Sequence, residues 1–320
     1  MLKIFRKDIS SQSIIILIVS LTMWMGAFIH PEPIPMAGGG PIYYWITSHL
    51  PLRVLAIIAY LLVLMQGVLL NSILYRHKMI GQNTLLPVLF YVLAMSLSTR
   101  TLTPLVLGNT LLILAISQMM LTTTYLSLTI DKTFGAAALM SIATIFCPAM
   151  AVFFVPLIFN MFNYSLYSWR DWTMLLLGIM APYILLETYY YMTDEMFYRN
   201  YLLLYNMTDI NFILSNSVVN WLISIVFLVI IVMGMGMVYM NSQSSTVNYQ
   251  KNATTILVFL MGGLLYSLYA TLIPIDTASF AAPFACCATA IFAEPRRKDT
   301  GANLVFIAML LAGIVYCVVQ

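Results

Sequence analysis

Residues 52–70 read LRVLAIIAYLLVLMQGVLL, a run of 19 positions with one charged side chain, Arg53. Runs of the same kind recur at 13–28 and 221–238. A helix needs about 20 consecutive apolar residues to cross the hydrocarbon core of a bilayer. The runs are continuously apolar and lack the period-two alternation of a membrane β-barrel. The pattern therefore predicts an all-α, polytopic integral membrane protein.

The composition of the whole chain favours the same class. Of the 320 residues, 62% are hydrophobic and 8% are charged, whereas soluble domains carry roughly 25% charged residues. A soluble fold of this length cannot hide so much apolar surface. The net charge of +3 and the absence of a dense basic stripe argue against nucleic acid as a partner. The four cysteines lack the spacing of a zinc site, and we expect neither a metal nor a cofactor.

We predict ten or eleven membrane spans, which form a single transmembrane domain over residues 1–320. The basic N-terminus followed by an apolar run lacks a small-x-small cleavage site, so we interpret it as an uncleaved first span. The predicted spans lie at 13–30, 52–75, 84–99, 101–125, 134–147, 148–166, 172–192, 216–240, 253–274, 277–293 and 301–319.

The stretch from 134 to 167 is too long for one span. As a single helix it would measure about 51 Å, against a hydrocarbon core of about 30 Å. Pro148 and Pro156 interrupt it, so we predict a short-helix hairpin within 134–166, hinged at Cys147. With this hairpin, all but three of the 14 basic residues fall on the cytoplasmic side. The positive-inside rule then predicts a cytoplasmic N-terminus and a C-terminus on the outer side of the membrane.

Two segments on the predicted outer face are longer than turns. Residues 30–51 are rich in proline and glycine and are predicted to end in a short interfacial helix around 42–49. In the second segment, 194–215, tyrosine and leucine recur at helical spacing. This spacing predicts a helix at 197–211 that lies on the membrane surface.

The scarce ionisable residues of the outer face are the candidates for chemistry. Glu32 follows His30-Pro31 just outside the first span, where its carboxylate could act as a general base on a lipid-linked substrate. The alternatives are an ordinary proline-rich loop and, with His30 and His49, a divalent metal site. For intramembrane amides such as Gln66 and Asn109, we expect a role in holding helices together.

Three arginines and one carboxylate complete the predicted site. Arg53 and Arg100 lie at outer span ends, and Arg199 precedes the surface helix. Arginine side chains match phosphate oxygens well, and lipid phosphates lie at this depth; the alternative is snorkelling to ordinary headgroups. Glu187 lies one turn inside the outer end of its span, where the alternatives are snorkelling or a hydrogen bond to a neighbouring tyrosine and a proton-relay or substrate role. The hypothesis is an outer-face cavity in which Glu32 is catalytic and His30, Arg53, Arg100, Glu187 and Arg199 bind the lipid phosphate.

The middle of the chain, over roughly 10–290, resembles a family of multi-pass inner-membrane proteins of Bacteroidota. The resemblance implies a helical membrane fold and no particular catalytic residues. It rests on the segments NSILYR (71–76), NTLLP (83–87), LGNTL (107–111), FGAAALMSIA (134–143), SWRDW (168–172) and LGIMAP (177–182).

The arrangement of spans also resembles the GT-C glycosyltransferases, which use polyprenyl-phosphate sugars. The shared features are many spans, paired short helices, outer surface helices and an acidic residue in the first outer loop. In this chain the acidic motif of that class is reduced to Glu32. The resemblance implies GT-C-like binding or processing of a lipid-linked precursor on the outer face of the cell envelope.

Two other functional classes remain open from the sequence. The chain could be a structural or assembly subunit of an envelope or secretion machine, with protein partners in the membrane. It could also be a transporter, although transporters usually place polar groups near the bilayer midplane, and the charges of this chain avoid that level. Membrane lipids are the expected partners in every case.

Overall fold

The computed structural model describes residues 9–31, 39–80, 84–98, 100–122, 129–192, 218–243, 245–270 and 278–293, together with positions 307 and 313. In this part of the chain the fold is all-helical, as predicted, and contains no strand. Eleven α-helices and one 3-10 helix are seen there. The helices are α1 (Ile9–Ile29), α2 (Pro41–His49), α3 (Leu52–Arg76), α4 (Leu86–Ser96), α5 (Pro104–Leu121), α6 (Thr129–Phe146), the 3-10 helix (Pro148–Phe153), α7 (Phe154–Asn163), α8 (Trp169–Met192), α9 (Val218–Gln243), α10 (Val247–Ala270) and α11 (Ala281–Ala293).

Ten of the predicted spans correspond to helices of the structure, and α2 corresponds to the predicted interfacial helix. Four helices in the described residues are long and apolar enough to cross a membrane, namely α1, α3, α5 and α8. Many large apolar side chains of α1, α3 and α8 are exposed, as expected of helices that face lipid. The predicted surface helix at 197–211 lies outside the described residues, as does nearly all of the predicted span 301–319.

Hydrogen bonds between segments define the two ends of the bundle. The Gly40 amide donates to the Phe146 carbonyl over 2.8 Å, which places α2 beside the end of α6. At the opposite end, the Leu85 amide donates to Gln12 Oε1 over 2.8 Å, which places the start of α4 beside the start of α1. We refer to these as the α2 end and the opposite end.

The predicted break at Cys147 is confirmed. Helix α6 ends at Phe146, and Pro148 begins the 3-10 helix that leads into α7. Helix α8 runs parallel to α6, because Ser141 Oγ donates to the Ile179 carbonyl and Thr144 Oγ1 bonds to the Tyr183 hydroxyl. Since α6 and α8 run in the same direction, the segment from 148 to 163 must return to the opposite end.

Two short helices, α4 and α11, occupy the centre. All eleven residues of α4 are buried, and nearly every described side chain of α11 is buried as well. The two helices pack against each other through the Phe90 and Phe292 rings, whose centroids are 5.4 Å apart. Close packing against α9 depends on Gly234, where an added Cβ would lie 2.7 Å from Cys287 Cβ.

Candidate functional site

Helix α4 ends and helix α11 begins inside the bundle, beside Asn109 of α5. Asn109 Nδ2 donates to the carbonyl of Ala278, just before α11 begins, over 2.8 Å. The same nitrogen lies 3.8 Å from the sulfur of Met95, next to the last residue of α4. The end of α4 and the start of α11 therefore meet at one point. We call the group Met95, Asn109 and Ala278 the central junction.

The central junction lies below the α2 end of the bundle. Asn109 is five residues inside α5, which corresponds to about 7.5 Å along the helix axis. The chain is irregular on the α2 side of this level, at 97, 98 and 100–103 after α4 and in the turn 278–280 before α11. Irregular backbone at membrane depth is tolerated only where protein buries it or where it lines a cavity. The loop of residues 97, 98 and 100–103, called the Arg100 loop below, meets this condition through burial.

Arg100 is the charged residue of this loop and is 2% exposed. Its Nη1 donates to the Met23 carbonyl of α1 over 3.4 Å. Met23 lies six residues before the end of α1, so the guanidinium is roughly 9 Å below that end. The sequence left open whether Arg100 snorkels to headgroups, and the burial excludes snorkelling. An arginine enclosed in a membrane bundle is costly and marks a functional site by default.

Two further buried hydrogen-bond donors belong to sequence neighbours of Arg100 and of Met23, the residue that accepts from it. Thr101 Oγ1 is buried, and no partner for it occurs among the described residues. The same holds for Nε1 of Trp24, which directly follows the residue whose carbonyl accepts from Arg100. Buried donors without partners are rare in folded proteins and call for an explanation such as an ion or a water. A buried guanidinium is itself a set of hydrogen-bond donors that suits an anion.

Helix α2 is attached to the Arg100 loop from the α2 end. The Tyr43 hydroxyl donates to the Leu102 carbonyl over 3.0 Å, and the Tyr43 side chain is completely buried. Burial, and to a lesser degree the neighbouring Tyr44, raises the pKa of the Tyr43 phenol. The hydroxyl therefore remains protonated, and hence a donor, at any physiological pH. Gly40 precedes α2 and caps the end of α6 through its bond to Phe146.

A neutral polar cluster connects α3, α4 and α5 near the junction. Gln66 Nε2 donates to the Val106 carbonyl and to Thr110 Oγ1, each over 2.7 Å. The Tyr91 hydroxyl donates to Gln66 Oε1 over 2.7 Å. The predicted role of Gln66 and Asn109 in holding helices together is thus confirmed. Unlike the amide oxygen of Gln66, the buried Asn109 Oδ1 has no hydrogen-bond donor in the part of the chain that the structure describes.

The other residues of the predicted site have a different environment from Arg100. His30, Arg53 and Glu187 are exposed, at the end of α1, the start of α3 and near the end of α8. The structure shows no contact that would join them to Arg100. Glu32 and Arg199 lie outside the described residues, and their roles stay predictions. Sequence reasoning missed Tyr43 and Thr101, although Thr101 directly follows the one charged residue of the Arg100 loop.

Asp171 lies beside Arg170 in the sequence, a setting that predicts a solvated face, but the structure buries it. It is 5% exposed because it closes the first turn of α8. Ser168 Oγ donates to Asp171 Oδ2 over 2.5 Å and accepts from the Asp171 amide over 3.2 Å. Ser168 is therefore the N-cap of α8, and the Asp171 carboxylate orients its hydroxyl. The role of Asp171 is thus to help begin α8.

Metal ligation has no support in the described ranges, where no group of three His, Cys, Asp or Glu side chains could hold an ion. Cys147, Cys286 and Cys287 are buried. The chain matches no protein family model, no curated protein and no solved structure.

Proposed function

We propose that the protein binds the phosphate of a lipid-linked precursor at the Arg100 loop. The observation that carries this proposal is the burial of Arg100, 2% exposed, within a bundle whose other described surfaces are largely apolar. A guanidinium forms forked hydrogen bonds to phosphate and is the side chain best suited to hold it in a partly dry site. Thr101 Oγ1 and Trp24 Nε1 would supply neutral donors to the same anion.

The proposed setting is the periplasmic face of a bacterial inner membrane, with the α2 end outward. The distribution of basic residues in the sequence supports this orientation. A polyprenyl phosphate fits the setting because its chain would lie among the lipid-facing helices while its phosphate enters the bundle. Arg100 is covered in this structure, so part of its covering must move for a ligand to enter. Processing of the precursor in a GT-C-like manner, with Glu32 as the base, belongs to the same proposal.

The test is binding of a long-chain polyprenyl phosphate to the purified protein, measured by native mass spectrometry from detergent. We expect Arg100→Gln to weaken binding about 10- to 100-fold, since hydrogen bonds to charged groups contribute roughly 1.5–3 kcal/mol. Arg100→Lys should retain part of the affinity because it keeps the positive charge, and should lose the rest because lysine cannot form the paired hydrogen bonds of a guanidinium to phosphate. The matched control is Arg53→Gln, which removes an exposed arginine and should leave binding unchanged.

Three outcomes contradict the proposal. Wild-type protein could fail to bind the polyprenyl phosphate, or folded Arg100→Gln could bind it as well as wild type. Equal losses in the Arg53 and Arg100 variants would indicate general charge attraction. Co-purification of a stoichiometric protein partner without any lipid phosphate would instead favour an assembly subunit of an envelope machine.

A second candidate function is transport, which is favoured by the central junction. Helices that end within the bundle and meet near polar groups are typical of secondary transporters. Here α4 ends and α11 begins beside Asn109, whose Oδ1 has no partner among the described residues. Transport predicts accumulation of a solute in proteoliposomes and its loss in Asn109→Leu. Flux equal to that of empty liposomes across a panel of candidate solutes would count against it.

A further inference from the structure

The first turn of α2 contacts two places where the backbone leaves regular helix. The Gly40 amide bonds to the Phe146 carbonyl, at the break between α6 and the 3-10 helix. The Tyr43 hydroxyl bonds to the Leu102 carbonyl, two residues from Arg100. The fit at Gly40 is tight, since a Cβ there would lie 1.7 Å from the Ile145 carbonyl oxygen. Because Gly40 fixes the start of α2 against α6, Tyr43 approaches the Arg100 loop from a fixed direction.

Both accepting carbonyls lie outside regular helical hydrogen bonding. A backbone carbonyl in a dry interior is costly when it has no donor. Tyr43 supplies a donor to Leu102, and the completely buried ring leaves the hydroxyl little freedom to move elsewhere. One residue after Leu102, Thr103 Oγ1 accepts from the Val106 amide and begins α5. The backbone on the α5 side of Arg100 is therefore held at Leu102 by α2 and at Thr103 by α5.

We infer that Tyr43 is a positioning residue for Arg100, which holds the Arg100 loop in the conformation that binds phosphate. The inference rests on the proposed function and extends it to a residue that does not touch the ligand. Without the Tyr43 hydroxyl, Leu102 loses its donor and the loop can rotate toward another one. Arg100 lies two residues away and would rotate with the loop, so the guanidinium would present its fork in a different direction.

The alternative is that the bond from Tyr43 contributes only to the stability of the fold. A matched control separates the two roles. The Tyr164 hydroxyl is also buried and bonds to Thr255 Oγ1 over 2.6 Å and to Asn252 Oδ1 over 3.2 Å. It lies between the end of α7 and the first half of α10, far along the bundle from the Arg100 loop. Tyr43→Phe and Tyr164→Phe therefore each remove one buried phenol hydroxyl at opposite ends of the bundle.

The test uses the full chain and compares wild type with both variants. The first measurement is the dissociation constant for a long-chain polyprenyl phosphate, with inorganic phosphate and phosphatidylglycerol as separate arms. We expect Tyr43→Phe to weaken the polyprenyl phosphate complex roughly two- to tenfold, the range expected from one hydrogen bond, and Tyr164→Phe to leave it unchanged. The second measurement is hydrogen–deuterium exchange of the amides at 97–103 without ligand, which we expect to rise in Tyr43→Phe alone.

The outcomes distinguish failure of this inference from failure of the proposed function. If wild type binds and Tyr43→Phe binds equally well, the positioning role is refuted while phosphate binding stands. Unchanged exchange at 97–103 in Tyr43→Phe refutes the inference whatever the binding result. Equal losses of affinity in both phenylalanine variants would assign the effect to general stability. A wild-type protein that binds neither polyprenyl phosphate nor inorganic phosphate overturns the proposed function and, with it, the positioning role.

Discussion

Replacing Gly40 by alanine should destabilise the protein far more than an ordinary glycine substitution. The backbone at Gly40 is extended, with φ −81° and ψ 170°, so alanine can adopt the conformation without strain. The obstacle is space. An added Cβ would lie 1.7 Å from the Ile145 carbonyl oxygen and 3.3 Å from the Phe146 carbonyl oxygen. The segment must therefore move away from α6, and the bond from the Gly40 amide to Phe146 must stretch or break.

Two terms set the size of the effect. Overpacking of a tight site costs about 1–3 kcal/mol. A buried carbonyl that loses its donor adds about 1–3 kcal/mol. Each kcal/mol shifts the melting temperature by roughly 2–4 °C in a domain of 150–250 residues. Gly40→Ala should therefore lower the melting temperature by roughly 4–24 °C.

The buried cysteines provide the assay. Cys147, Cys286 and Cys287 are enclosed in the folded protein, so a thiol-reactive fluorophore reports unfolding on heating in detergent. The control is Gly236→Ala in α9, where an added Cβ meets nothing within 4 Å. Alanine is favoured over glycine inside a helix by about 0.5–1 kcal/mol, so this variant should melt at or above the wild-type temperature. If Gly40→Ala melts at the wild-type temperature, the start of α2 does not pack closely against the end of α6, and the geometry described at the break is wrong.

Three further predictions follow from single contacts. Burial, and to a lesser degree the neighbouring charge of Arg76, lowers the pKa of His77 below its usual 6.5. The unfolded chain therefore binds a proton more readily than the folded protein, and the stability of the fold should decrease as the pH drops through 6.5. His77→Gln should make the melting temperature less dependent on pH. A wild-type protein as stable at pH 5 as at pH 8 would contradict this. Asn109→Leu should cost about 1–3 kcal/mol through loss of the donor to Ala278, and unchanged thermal unfolding would disprove the contact. Ser168→Ala removes the cap of α8 and should cost about 1 kcal/mol, measured in the same assay, with Thr173→Ala on the exposed side of α8 as its comparison.

The helices themselves could be predicted from the sequence because lipid imposes a simple rule. Apolar length predicts a helix, and a proline inside a run that is too long predicts a break. The break at Cys147 followed from Pro148 and from the distribution of basic residues, without any knowledge of tertiary contacts. The 3-10 helix after it was not predictable, since a local change from one helix type to another depends on packing.

The site was harder to predict because depth within a bundle is a tertiary property. Arg100 could be placed at a span end from the sequence, but its burial depends on α1, whose Met23 carbonyl lies more than 70 residues earlier in the chain. The short central helices were predicted as ordinary spans for the same reason. Their apolar composition is compatible both with a membrane crossing and with a short buried helix. Only the contacts of Asn109 show that α4 ends and α11 begins inside the bundle.

The shortness of α4 and α11 has a consequence for biogenesis. The 11 residues of α4 and the 13 described residues of α11 are each too few to span a hydrocarbon core of about 30 Å alone. During synthesis such a segment cannot settle in lipid as an independent helix, which is the first stage of membrane protein folding. Helix α4 can pack at once against α3, which precedes it, but its other partner, α11, is the last of the described helices to be synthesised. The centre of the bundle is therefore completed late in assembly, and variants that weaken it should accumulate as inserted but protease-sensitive protein in the cell.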